Sequence, residues 1–163
     1  MRRTASPAPS WAVWSTWLLS LAGLGLAIYL TIAHFAGSQI LACSDKGLID
    51  CASVTTSPES YFLGVPVAIL GLVNFVVLAI LNSPWAWKLQ SSWVALVRWG
   101  LIVGGMLFVF WLLAVEFLIL NRICIYCTGV HIVTLCLFVI VSRVTPVQLG
   151  WTNASEGLDA PSR

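Results

Sequence analysis

The chain has 163 residues, of which 60% are hydrophobic and only 9% charged. A water-soluble domain of this length needs far more charge to cover its surface, so the apolar excess is expected to face lipid. The formal net charge is only +2 and no basic cluster stands out, which argues against a nucleic-acid partner.

Residues 1–13 form an N-terminal tail with Arg2 and Arg3, and its Ser-, Pro- and Ala-rich stretch Met1–Ser10 is expected to be disordered. No charged residue then occurs before Asp45, and the apolar run predicts a first membrane helix over 14–36. About 20 apolar residues, each rising about 1.5 Å, cross a hydrocarbon core of roughly 30 Å. The run is longer than a signal-peptide core, and no small-residue cleavage site follows before Cys43, so the helix is expected to stay on the protein. A polar loop over 37–60 holds Cys43 and Cys51. Further helices are predicted over 61–82, 94–120 and 125–141, joined by a connector at 83–92 and a tight turn at 121–124. These runs lack the two-residue alternation of barrel strands, and backbone groups in lipid must bond within their own segment, so the spans are helical. The expected fold is all-α: an integral membrane four-helix bundle over 14–142 with an outer-face redox loop, followed by a disordered tail over 143–163.

With both termini in the cytoplasm, Arg2, Arg3, Lys88, Arg98, Arg143 and Arg163 lie inside and only Lys46 and Arg122 lie outside. That bias has the direction the positive-inside rule requires. Trp11, Trp14, Trp17, Trp85, Trp87, Trp93, Trp99 and Trp151 map to the same inner interface, and Trp111 sits deeper. A multi-pass plasma-membrane protein follows, with membrane lipid as its first partner.

Four of the five cysteines then meet at the outer surface: Cys43 and Cys51 in the loop, Cys124 and Cys127 at the start of the fourth helix. That compartment sustains disulfides. In a C-x-x-C at a helix start the two sulfurs share a face, and the helix N-terminus favours the thiolate that attacks disulfides. Two such pairs in proximity can pass electrons in sequence. Competing readings are a pair of inert structural disulfides, a zinc site built from both pairs, or unrelated buried thiols. The seven-residue spacing of the loop pair and an oxidising compartment disfavour zinc. Cys136, nine residues past Cys127 and half a turn around the helix, reads as a packing residue.

A lipid-soluble quinone matches a dithiol, because each exchanges two electrons. His131 lies one turn deeper than Cys127 on the same face, Glu116 lies in the outer third of the third span, and Asn74 lies mid-way along the second. Ionisable groups at such depth are costly unless paired or wet, so these three are candidates to contact the quinone. The competing role for each is a hydrogen bond between helices, such as one from His131 to Glu116. His34 is a weaker candidate near the outer end of the first helix.

The loop pair Cys43 and Cys51, the run Ser57-Pro-Glu-Ser60-Tyr61 leading into Gly64-Val65-Pro66, and Cys124-Ile-Tyr-Cys127 together resemble the vitamin K epoxide reductase family over residues 14–142. The resemblance implies four helices around a quinone (menaquinone or ubiquinone), with the loop as a cap and no metal. It implies Cys127 as the quinone-side sulfur, Cys124 as the relay, and Ser57 as a residue near the redox centre. It also implies that Cys43 and Cys51 take electrons from a thioredoxin-like or DsbA-like protein. The chain ends about 20 residues after the fourth helix, so that partner is expected to be separate. His131 stands where animal members have tyrosine, which sets epoxide reduction apart from quinone reduction. From a different functional class, a disulfide-stapled scaffold or transporter subunit without turnover is the alternative.

Overall fold

The computed structural model describes residues 8–37, 40, 41, 43 and 49–151. Arg2, Arg3, Lys46, Arg163 and most of the two expected tails lie outside the described residues.

Helix α1, Ser10–Ala36, starts after the extended Pro9 and ends where Gly37 turns to φ 106°. Its buried stripe is Ala12, Thr16, Ser20, Gly23, Ala27, Leu30 and Ala33, nearly all small, which lets α1 approach its neighbours closely. Thr16 and Ser20 donate their hydroxyls back to the carbonyls of Ala12 and Thr16, each at 2.7 Å.

The expected helix over 61–82 is corrected by the structure. Residues Tyr61–Phe62 (β1) pair antiparallel with Val65–Pro66 (β2), and helix α3 spans only Val67–Leu81. Leu63 and Gly64 make the turn with φ 52° and 82°, the left-handed pair that a two-residue hairpin demands. Proline supplies no N–H and forces the preceding residue to be extended, so the helix cannot begin before Pro66. At 15 residues α3 is about 22 Å long, shorter than the roughly 30 Å hydrocarbon core.

After α3 comes the short α4, Pro84–Lys88, with Ser83 Oγ accepting from Ala86 N. Helix α5, Ser92–Ala114, widens into a π-helical stretch, Val115–Leu120, that ends at Asn121 with φ 50°. Helix α6, Ile125–Gln148, runs beyond Val141. Residues 143–148, expected in the tail, are helical: Arg143 ended the apolar run but not the backbone ladder, and Pro146 stands in the last turn. Helices α1, α5 with its π extension, and α6 are long and apolar enough to cross a membrane. The protein is therefore an all-α membrane protein apart from the small hairpin.

Three layers follow one another along the helices. At one end lie Cys43, Cys51, Cys124 and Cys127. In the middle, Ala27, Phe75, Leu78, Ile102, Leu137 and Val141 form an apolar layer, each 3% exposed or less. Beyond it, buried polar groups collect: Asn82 Nδ2 donates to Ser20 Oγ at 2.9 Å, and Arg98 donates to the Leu81 carbonyl at 2.6 Å. The Arg98 guanidinium lies 3.5 Å from the centre of the Trp87 ring. Arg98 thus sits at the end where the charge pattern placed it, but fully buried, closing the C-terminus of α3. Trp11, Trp14, Trp85, Trp93 and Trp151 are exposed around this end.

Candidate functional site

At the other end, Cys43 and Cys51 form a disulfide with Cα atoms 5.9 Å apart. Cys51 opens the short helix α2, Cys51–Thr56, and is fully buried. Asp50 caps that helix. Its carboxylate accepts from Ser53 N at 3.0 Å, from Ser53 Oγ at 2.5 Å and from Arg122 Nη1 at 2.8 Å. The hydrogen bonds from Ser53, aided by the Arg122 charge, hold the Asp50 carboxyl below its ordinary value. Asp50 N also donates to the Ile123 carbonyl at 3.1 Å, and Ile49 bridges Ile123 in parallel. The loop is therefore clasped to the two residues that precede Cys124.

Cys124 is the N-cap of α6, and its Sγ accepts from Cys127 N at 3.4 Å. A thiolate there gains from the unpaired N–H groups of the first turn. The hydrogen bond with Cys127 lowers the Cys124 thiol from its ordinary value. Cys124 and Cys127 are both free thiols. Cys51 and Cys124, each 0% exposed, belong to one buried cluster with Leu30, Ala33 and Leu41, and Cys43 and Cys127 pack against it. The structure thus brings all four predicted cysteines together. A four-thiolate zinc site would need Cys43 and Cys51 unbonded to each other, and they are joined.

Cys127 also stands in the wall of a cavity of about 380 Å³ between the helices. His34 of α1, Ser57 and Glu59 of the loop, Asn74 of α3, Glu116 of the π stretch and His131 of α6 line it. Phe75, from the apolar middle layer, also lines it. Ser57, Asn74, Glu116 and His131 therefore reach one space together with Cys127, whereas Cys43, Cys51 and Cys124 lie beside it and Cys136 is not among its lining residues. Glu116 Oε2 and His131 Nδ1 are buried and have no hydrogen-bond partner. The bond from His131 to Glu116 that packing alone would favour is not formed. Gly71 and Gly104 also line the cavity, and a Cβ on either would meet nothing within 4 Å. Apolar walls, open glycine faces and two orphaned polar atoms suit a flat ring that offers hydrogen-bonding oxygens.

Asp50, Arg122 and Glu59 were not singled out from sequence. Asp50 and Arg122 form the clasp, and the available signal was a charge of opposite sign beside each cysteine pair, with Ser53 at capping distance from Asp50. His34, read as a weak candidate, ties α1 to the loop through Nδ1, 2.9 Å from the Thr55 carbonyl, and Nε2, 3.2 Å from the Tyr61 hydroxyl. Glu59 enters the cavity wall from the turn before the hairpin, where periodicity carries no signal. The family model described as Vitamin K epoxide reductase family matches residues 14–142, the stretch that holds both cysteine pairs and every named cavity residue. With most of its length matched and its cysteines and cavity arranged in this way, the chain belongs to the vitamin K epoxide reductase family.

Proposed function

We propose that this membrane oxidoreductase takes electrons from a separate thioredoxin-like or DsbA-like protein and passes them to menaquinone or ubiquinone, supporting disulfide formation outside the cytoplasm. The observation that carries this reading is the packing of a loop disulfide against a free helix dithiol, with Cys127 of that dithiol in the cavity wall. Lys88, Arg98 and Arg143 lie at the end away from the cysteines, which supports a cytoplasmic placement for that end. The one described cation at the cysteine end, Arg122, is paired with Asp50.

In the forward direction the partner dithiol reduces Cys43–Cys51 and leaves as a disulfide. Cys51 is assigned as the loop sulfur that meets Cys124, because both are fully buried in one cluster while Cys43 is partly exposed. The Cys51 thiolate attacks Cys124 of an oxidised helix pair, and the Cys124–Cys127 bond breaks with Cys127 leaving as thiolate. Cys43 then attacks Cys51, restoring the loop disulfide and freeing Cys124. Two electrons have moved from the loop pair to the helix pair.

When bound in the cavity, a quinone supplies an acceptor for two electrons and two protons, and the helix pair returns to a disulfide. His131 would hold one ring oxygen by a hydrogen bond that strengthens as negative charge develops there. Asn74 would hold the ring from the opposite wall, and Ser57 would border it at the loop end, its Oγ already donating to the Val54 carbonyl at 3.2 Å.

The test uses purified full-length protein with a reduced thioredoxin-like donor and quinone, followed for hydroquinone. Cys127→Ala should abolish turnover. Its Cys124 thiolate should attack Cys51 of the loop disulfide, displacing Cys43 and accumulating a Cys51–Cys124 mixed disulfide visible by mass spectrometry. Full turnover in that variant would overturn the assignment.

A further inference from the structure

Thiol oxidation releases protons as well as electrons, and the two sulfurs of the helix pair stand in different surroundings. Cys124 has a backbone N–H directed at its sulfur, so a helix end supports its thiolate. Cys127 lies in the first turn of the helix and stands in the wall of a largely apolar cavity. Its proton needs an acceptor inside the wall.

We propose that Glu116 is that acceptor: the Cys127 S–H bond breaks, an O–H bond forms on Glu116, and no electrons move in the step. The inference rests on the cavity being the redox site, as argued above. Glu116 faces inward for a reason of helix period. It follows Arg98 by 18 residues, five turns of an α-helix, and therefore lies on the same buried face of α5. The π stretch fixes it there, because the Glu116 carbonyl accepts from both Asn121 N and Arg122 N, the latter at 3.2 Å. Wide turns of this kind recur at functional sites. Its side chain is 3% exposed, no cation pairs with it among the described residues, and Oε2 has no partner. Glu116 and Cys127 line the same cavity.

The other titratable groups around the cavity are placed for different work. Both nitrogens of His34 are engaged, and Glu59 stands at the loop end on a half-buried turn. Arg122 is committed to Asp50. His131 lies one turn past Cys127 along the helix, beyond the sulfur.

The experiment needs no quinone. Reduced full-length protein is treated with diamide, which takes two electrons from the helix pair. Formation of the Cys124–Cys127 disulfide is followed by alkylation and mass spectrometry from neutral to alkaline pH. The wild type should close at a rate that is nearly flat once the carboxylate is ionised. Glu116→Gln should close about a hundredfold more slowly at neutral pH and speed up in proportion to hydroxide. Glu116→Asp should recover the flat profile at an intermediate rate. If Glu116 were only a neighbouring charge, its removal would ease thiolate formation. Closure of Glu116→Gln at or above the wild-type rate would therefore overturn the proposal. Should Glu116→Gln fail to fold, Glu116→Asp carries the test, and a profile that stays hydroxide-proportional there would equally overturn it. Because quinone is absent, a negative result leaves the quinone reading standing. Normal closure with no quinone reduction would strike that reading alone.

Discussion

Three donors converge on the carboxylate of Asp50, and through it a six-residue helix is held in place around Cys51. A helix that short has no stability of its own, so its position depends on the cap and on Arg122. The sign of the pH effect follows from the lowered Asp50 pKa. The clasp is at full strength above the ordinary carboxylate value of 3.8 and is lost as pH falls through the lowered folded-state value. Asp50→Asn removes the charge at every pH. Its loop disulfide should therefore be reduced several-fold faster by a phosphine at neutral pH, while the wild type approaches that rate only in acid. Equal rates at neutral pH would show that the clasp does not guard the disulfide. The residue scale was partly legible in the sequence. Side chains on long helices could be placed on a face from the helical period, and Glu116, Cys127 and His131 do share one space. Asp50 and Arg122 could not be paired in advance, because they are 72 positions apart and meet only through tertiary docking.

Among the helices, α1 meets α3 tightly at Gly23. A Cβ built at Gly23 would run into the ring of Phe75, whereas one at Gly25 would meet nothing within 4 Å. Gly23→Ala should therefore destabilise the protein by about 1–3 kcal/mol through overpacking. Gly25→Ala, in open space on the same helix, should be neutral or slightly stabilising by helix propensity. Thermal unfolding of the two variants in one detergent checks this, and equal melting temperatures would contradict the packing. Gly23 and Gly25 look alike in sequence, since neither spacing nor composition says which one faces α3. The helices themselves were legible from the gaps between charges, because lipid admits only helices and closed barrels and these runs lack a barrel's alternation. Their ends were less so. Tyr61, Phe62 and Val65 are as apolar as the helix that follows, and only the proline at 66 marks where the hairpin stops. At the far end Arg143 stops the apolar run while the helix continues to Gln148.

At the scale of the whole molecule, the two cysteine pairs and the polar groups of the cavity lie to one side of the layer made by Leu78, Ile102, Leu137 and Val141, and Phe75 of that layer also lines the cavity. The buried polar groups beyond that layer, Asn82, Arg98 and Thr145, are separated from His131 and Thr134 by about two helical turns of apolar side chains. No chain of hydrogen bonds crosses the gap among the described residues. The layer would thus insulate the two ends from each other electrically, and on the proposed reading the chemistry would stay within one leaflet. A transmembrane voltage does work only on charge that moves across it, about 2.3 kcal/mol per elementary charge per 100 mV. Protons and electrons that enter and leave on the same side of the insulator do not cross the field. In vesicles carrying the purified protein, an imposed potassium diffusion potential of either sign should leave the turnover rate unchanged, and a voltage-dependent rate would mean that charge passes the layer. The consequence reaches the cell's energy balance: electrons drawn from thiols would neither charge the membrane nor discharge it at this step, so cysteine oxidation could proceed at the same pace in an energised membrane and in a depolarised one.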